Sequence, residues 1–284
     1  MSVASAVSKP NIMAGKRVAV LGAGKMGGII LRALLQEGFI APDRACATVG
    51  YAAEVEIAAK NFPNLSISTD NVAAVKGADV VVLSVKPQQV KDVLEQVRPV
   101  VRPDQLFISV AASVPTAFME KALATNVPVI RAMPNTPCSV RKGMTAICKG
   151  VYADDKHLEI AQALFNTIGR TVVVDEKHMD AITGLSSSGP AYIFVILEAL
   201  AEAGVKVGLP RDMATLLAAQ TTMGAASMVL ETGDHPALLK DMVTTPAGCT
   251  IDGLMELEEG KLRVTLIKAV VKAAHRAKEL MFNH

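Results

Sequence analysis

The chain has no tryptophan, and aromatic residues make up only 4% of it. Stacking platforms for bases are therefore scarce, which argues against a single-stranded nucleic-acid partner. The formal net charge of +2 is too small to steer the chain to nucleic acid or to an acidic membrane. The four cysteines, Cys46, Cys138, Cys148 and Cys249, show no C-x-x-C spacing. They read as reduced thiols of a cytosolic protein, not as a disulfide framework. The five histidines lie apart, with no H-E-x-x-H and no Cys/His cluster, so neither a metal site nor a Ser–His–acid arrangement is legible. No uninterrupted apolar run approaches the ~18 residues of a membrane span; residues 191–197 come nearest, and Glu198 ends them. Residues 1–16 are rich in Ser and Ala, with two lysines and no arginine or acid. They have neither the apolar core of a secretory signal nor the arginines of a transit peptide, so a flexible tail on a cytoplasmic chain is expected.

Hydrophobic residues, by contrast, make up 51% of the 284 residues, enough for one large domain or two ordinary ones. Residues 18–28 read Val-Ala-Val-Leu-Gly-Ala-Gly-Lys-Met-Gly-Gly and are followed by an apolar helical start at residues 29–35. This is a buried strand, then G-x-G-x-x-G at Gly22, Gly24 and Gly27, then a helix, the context that gives the motif meaning. Gly22 permits the tight turn, Gly24 lets a pyrophosphate approach the backbone, and Gly27 lets helix and strand pack closely. The free N–H groups at the helix start face the phosphates. Ala23, Lys25 and Met26 complete this expected dinucleotide contact.

Strands and helices alternate up to residue 174. Strands are expected near residues 45–49, 65–68, 78–85, 106–110, 127–133, 144–148 and 171–174, which implies a doubly wound, mostly parallel sheet. The second strand ends in Gly50-Tyr51-Ala52-Ala53, where an NAD site usually carries Asp or Glu for the ribose 2′-OH. NADP(H) is favoured on that ground, moderately, since no arginine follows. Asn71 suits either the adenosine end of the cofactor or an N-cap of the next helix. Val85, Lys86 and Pro87 end a continuous β-branched strand, and ligands sit beyond such ends. Ala111 and Ala112 suit either a flat nicotinamide or a close-packed turn. Asn135, between Pro134 and Pro137, is presented by a rigid tip.

From residue 175 the strand signals stop, so residues 1–174 are expected to form a dinucleotide-binding Rossmann domain and residues 175–284 an all-helical domain. The helix from Pro210 to Glu231 is small and apolar all round, which implies burial or packing between subunits; obligate dimerisation is expected. A helix from Pro190 is expected to close at Gly204. Two polar stretches interrupt the helices. Residues 183–190, Thr-Gly-Leu-Ser-Ser-Ser-Gly-Pro, read either as N-caps or as a carboxylate site at a helix start. In residues 241–252, Pro246 and Gly248 break the chain. Gly248, Cys249 and Thr250 then present N–H groups and a hydroxyl at the next helix start, where Thr250 also suits a cap.

Taken together, Gly22 to Gly27, residues 85–87, 110–112, 133–137 and 183–190, and the Pro-x-Gly-x-Thr at Pro246, Gly248 and Thr250 resemble pyrroline-5-carboxylate reductase. The resemblance runs from about residue 16 onward and implies reduction of Δ1-pyrroline-5-carboxylate to L-proline with NAD(P)H. A cyclic imine is basic at nitrogen, so solvent or one hydroxyl manages its protonation, and the cofactor carries the hard chemistry. The resemblance implies that Thr250 is the catalytic group, bonding the ring nitrogen. It implies that backbone N–H groups around Gly248, Cys249 and Ser188, beside Ser187 and Thr244, hold the carboxylate, and that Val243 and Met133 wall the ring. It further implies interlocked homodimers and a decamer of five dimers. The chain departs from the family at Gly233, where some relatives carry a glutamate, and at Cys249, often Ala. A β-hydroxyacid dehydrogenase shares the domain plan but uses Lys-x-x-x-Asn, a spacing missing from the second half. A non-catalytic nicotinamide sensor would need no polar turn at residues 244–250.

Overall fold

The computed structural model describes residues 12–281; the tail expected over residues 1–16 lies outside them up to residue 11. The chain divides into two compact units, residues 1–187 with 274–284, and residues 188–273.

The first unit is built on an eight-stranded sheet of order β3-β2-β1-β4-β5-β6-β7-β8. Its strands are β1 Val18–Leu21, β2 Ala45–Thr48, β3 Ser66–Ser68, β4 Val80–Leu83, β5 Leu106–Ser109, β6 Val129–Met133, β7 Gly143–Lys149 and β8 Gly169–Val173. All pairs are parallel except β6 with β7, where Arg131 lies opposite Cys148. The helices between them are α1 Lys25–Gln36, α2 Ala52–Asn61, α3 Asn71–Lys76, α4 Val90–Val97, α5 Thr116–Leu123 and α6 Asp155–Asn166. Burial follows the two-residue period of a strand covered on both faces. Val18, Val20, Val80 and Val82 join one core with Ile30, Leu34 and Phe165. Ala19, Leu21, Val81 and Leu83 join the other with Val90, Leu94 and Met119. Strand order reverses between β1 and β4, the switch point at which such sheets bind ligands.

Where the strands end, residues 176–206 run as one helical stretch. Within it α7, Met179–Ile182, passes into a π-helical turn at Thr183–Ser187 and then into α8, Gly189–Lys206. The serines of this motif therefore lie inside a continuous helix: Ser188 has helical dihedrals and makes no side-chain cap. Glu176, at the start of this stretch, ties three segments of the first unit together. Its carboxylate accepts from Thr116 N at 2.8 Å, from Thr116 Oγ1 at 2.6 Å and from Arg131 Nη1 at 3.2 Å. Arg131 is only 2% exposed, and its Nη2 has no hydrogen-bond partner among the described residues.

The second unit holds α8, α9 Arg211–Thr232, α10 Pro236–Met242, α11 Cys249–Glu259 and most of α12 Leu262–Met281. Gly204 does not close α8; it lies inside the helix, and a Cβ there would approach the Ala214 Cβ to 2.8 Å. Its value is close contact between α8 and α9, with Ala201, Ala214 and Ala218 buried along the seam. These three alanines are the only buried hydrophobic residues of this unit among the described residues. Phe194, Val195, Leu216, Met223, Leu230 and Ile267 are exposed. By length and composition, residues 176–206 and α9 are apolar enough to cross a membrane. The last turns of α12 return to the first unit, where Ser113, at φ 61°, donates its hydroxyl to the Ala277 carbonyl at 3.2 Å.

Glu176→Ala leaves the Arg131 guanidinium buried with no carboxylate, a loss expected to destabilise the first unit by about 3 kcal/mol. Urea unfolding of this variant should show a lower midpoint than the wild type, while Glu95→Ala, at an exposed position of α4, should stay within about 0.5 kcal/mol.

Candidate functional site

The turn after β1 is shaped by three glycines in three different ways. Gly22 has φ +90°, and a Cβ there would come within 2.9 Å of the Ser84 carbonyl oxygen. A Cβ on Gly27 would strike the Gly22 carbonyl, so α1 rests directly on the turn. A Cβ on Gly24 would meet nothing within 4 Å, because Gly24 opens onto a cleft. Gly24 is the cap residue of α1, with no side-chain cap bond and no acid in the first turn. The first N–H groups of the helix are thus left for an anion.

The cleft measures about 630 Å³ and lies beyond the carboxyl ends of β1 to β4. Its floor is a chain of hydrogen bonds. Gly22 N and Ala23 N both donate to the Thr48 carbonyl, at 3.1 and 2.7 Å. Thr48 Oγ1 donates to Asn71 Oδ1 at 2.6 Å, and Asn71 Nδ2 donates to Gln96 Oε1 at 2.9 Å. Asn71 therefore faces the cleft and is not the cap of α3. Asp70 takes that place, accepting from Ala73 N at 2.9 Å. A bound dinucleotide fits this cradle: the space a Cβ would fill at Gly24 is the space a pyrophosphate needs.

Of the residues expected to hold the cofactor, Gly22, Ala23, Gly24, Asn71, Val85 and Lys86 line the cleft together. Lys25, Met26, Gly27, Pro87, Ala111, Ala112 and Asn135 do not line it. Ala111 is buried in the core under β5, and Ala112 packs against the small cluster containing Met133 and Met179. Asn135 spends both ends of its amide on the chain: Oδ1 accepts from Met144 N at 2.9 Å, and Nδ2 donates to the Ser186 carbonyl at 3.1 Å. It braces the β6–β7 connection against the π-turn, a helical distortion that often marks a functional site.

Sequence reading missed Thr48, Ser84, Gln89, Gln96 and, most consequentially, Glu54, all of which line the cleft. No acid stands at the end of β2, but the first turn of α2 brings one back: Glu54 Oε2 accepts from Gly50 N at 3.1 Å. An acid four residues beyond Gly50, at a helix start, was the available signal.

The expected imine-binding residues belong to both units. In the first unit, Met133 is buried at the end of β6, and Ser187 Oγ reaches the Pro134 carbonyl at 3.5 Å. In the second, Ser188 opens α8, and residues 243–250 connect α10 to α11. Val243 is exposed, and Thr244 Oγ1 donates to the Lys240 carbonyl at 2.8 Å. Ala247 adopts φ 56°, which turns the chain into α11. Gly248 is the cap residue there, without a side-chain cap bond, so the hydroxyl of Thr250, on the first turn, is not spent on capping. Gly233 ends α9 in the left-handed conformation at φ 73°, one that a glutamate adopts only with strain.

Three of the four thiols, Cys46, Cys138 and Cys148, fit a passive role. Burial and the neighbouring Glu176 push Cys148 up to about 12. Burial also raises Cys138 and Cys46 above the ordinary thiol value. Neutral thiols of this kind are neither nucleophiles nor metal ligands.

Comparison with known proteins agrees with this arrangement. Residues 176–280 match the family described as pyrroline-5-carboxylate reductase dimerisation, and residues 17–113 match the family described as NADP oxidoreductase, coenzyme F420-dependent. The chain is 45% identical over 260 residues to the pyrroline-5-carboxylate reductase of Glycine max, covering 92% of this chain and 94% of that one. It superposes on the structure of a pyrroline-5-carboxylate reductase from Coxiella burnetii with a TM-score of 0.86 at 38% identity, covering 93% and 98% of the two chains. The Plasmodium falciparum pyrroline carboxylate reductase, whose structure has NADP bound, gives a TM-score of 0.84 at 26% identity, covering 94% and 98%. The glycine turn, the helical second unit and relatives matched along almost their whole length lead to one conclusion: the chain belongs to the pyrroline-5-carboxylate reductase family.

Proposed function

We propose that the chain binds NADP(H) in the cleft at Gly22–Gly24 and the imine at the turn that opens α11, reducing Δ1-pyrroline-5-carboxylate to L-proline. The observation that carries this reading is the helix start at Gly248. Gly248 N–H is spent on the Thr245 carbonyl at 3.1 Å, and with the cap position held by a glycine the N–H of Cys249 and the Thr250 hydroxyl are what the helix start offers to a small anionic ring. When bound, the nicotinamide supplies a hydride to the imine carbon. The imine nitrogen ends as a ring amine, so the chain has one proton to manage, and Thr250 is placed to hydrogen-bond that nitrogen. Val243 and Met133 supply apolar walls, while Ser187, Ser188 and Thr244 frame the carboxylate. Lys25, Met26, Gly27, Val85, Lys86, Pro87, Ala111, Ala112 and Asn135 shape or support the cofactor half. Because the cofactor does the hard chemistry, the task of the residues is orientation. A β-hydroxyacid dehydrogenase is not favoured: the relatives are imine reductases along their whole length.

The proposal extends to assembly and location. The dimerisation match covers both long apolar helices, so their exposed faces pack against other copies of the chain, interlocked as dimers and built up to a decamer, in the cytoplasm. The preference for NADPH over NADH rests on β2 itself ending without an acid, and Glu54, which reaches that end from α2, moderates it.

Three outcomes test this reading. Purified protein should oxidise NADPH on addition of Δ1-pyrroline-5-carboxylate, more slowly NADH, and neither with 3-hydroxy acids. Thr250→Ala should lower kcat/KM for the imine by about tenfold or more, the worth of a hydrogen bond to a charged group, while dinucleotide affinity persists; an unchanged rate removes Thr250 from the mechanism. In sedimentation at micromolar concentration no monomer should appear, and a monomeric species would overturn the assembly.

A further inference from the structure

We infer that Glu54 is a specificity-determining residue, whose carboxylate limits how strongly the cleft prefers a dinucleotide phosphorylated on its adenosine ribose over the unphosphorylated form. The inference rests on the cofactor reading above. A dinucleotide with its pyrophosphate on Gly22–Gly24 extends its adenosine ribose toward the end of the adjoining strand, which here is β2. At that end the cleft is lined by Val49, Gly50, Tyr51 and Glu54. Glu54 Oε2 sits on Gly50 N at 3.1 Å. The same oxygen lies 3.6 Å from where a Gly50 Cβ would stand, so the carboxylate lies across the glycine.

Two consequences follow from its chemistry. Gly50 N–H, a donor that a ribose phosphate at this position would use, already has a carboxylate as its acceptor. A doubly charged phosphate brought to the same place meets a like charge, whereas a free ribose 2′-OH donates a hydrogen bond to it. The cleft has little to offset the repulsion: among the described residues Lys86 is its only cationic lining residue, and it stands beyond β4, not β2. Glu54 is exposed, so water and salt screen the effect, which keeps it at about tenfold.

The test is steady-state kinetics of the full chain with the imine, varying NADPH and NADH separately, for wild type, Glu54→Gln and Glu54→Ala. Glu54→Gln keeps an acceptor for Gly50 N–H and removes the charge; Glu54→Ala also frees the N–H. KM for NADPH is expected to fall by about tenfold in Glu54→Gln and further in Glu54→Ala. KM for NADH should rise about two- to threefold, through loss of one exposed hydrogen bond. A rise in both KM values marks a merely structural role and overturns the inference, as does an unchanged ratio. Fluorescence titration of each dinucleotide without imine separates the two levels. If both bind the wild type and the ratio stays fixed in the variants, only the role of Glu54 falls. If neither binds, the cofactor reading falls and takes Glu54 with it.

Discussion

The contact between Gly22 and Gly27 leaves no room for a single carbon atom, and the cofactor half depends on that closeness. It sets the start of α1 directly on the end of β1, so that the uncapped N–H groups of the helix open onto the cleft. The same turn is held from the other side by Thr48, whose carbonyl takes both Gly22 N and Ala23 N. Through Asn71 and Gln96, the ends of β1 and β2, the start of α3 and the body of α4 belong to one hydrogen-bonded floor. Preorganised donors of this kind favour binding because little ordering remains to be done when the ligand arrives.

The two units differ in how they satisfy their apolar surface. The sheet of the first buries its valines and leucines on both faces. The second buries three alanines along the α8–α9 seam and leaves large side chains such as Phe194 at 61% and Leu216 at 67% exposed. Each such side chain is worth about 1.5–3 kcal/mol when taken out of water. A unit with so many of them outward is incomplete as a single chain. The same fact explains why these helices have the length and composition of membrane spans within a family whose matched segment is a dimerisation domain.

Elements with a strong periodic or glycine signal were legible in the sequence: β1, β4, the turn between β1 and α1, and the change from alternation to helices near residue 175. What escaped depended on contacts that spacing does not encode. The serines before Pro190 look like caps, but packing carries the helix straight through them as a π-turn. Gly204 looks like a helix stop, yet its neighbour is Ala214 on another helix. Asn71 looks like a cap until Asp70 takes that role. An acid was sought at the end of β2, and Glu54 reaches the same place from the next helix turn.

The distribution of polar groups matches the small demand of the proposed reaction. Asn135 has both ends of its amide engaged, the Thr244 hydroxyl is engaged with Lys240, and burial holds three of the four thiols neutral. These groups fix backbone and are not available to move protons. A reaction that needed a strong base would be poorly served by such a set, but an imine that is itself basic asks only for one hydrogen-bond partner and a fixed ring. The turn at Ala247 and Gly248 supplies that condition: a strained left-handed residue, then a glycine cap, then Thr250 on the first turn of α11 with its hydroxyl unspent. Backbone strain held at a functional turn is offset by packing elsewhere. Here Ala247 bears that strain two residues before α11, on whose first turn the proposed reaction places Thr250.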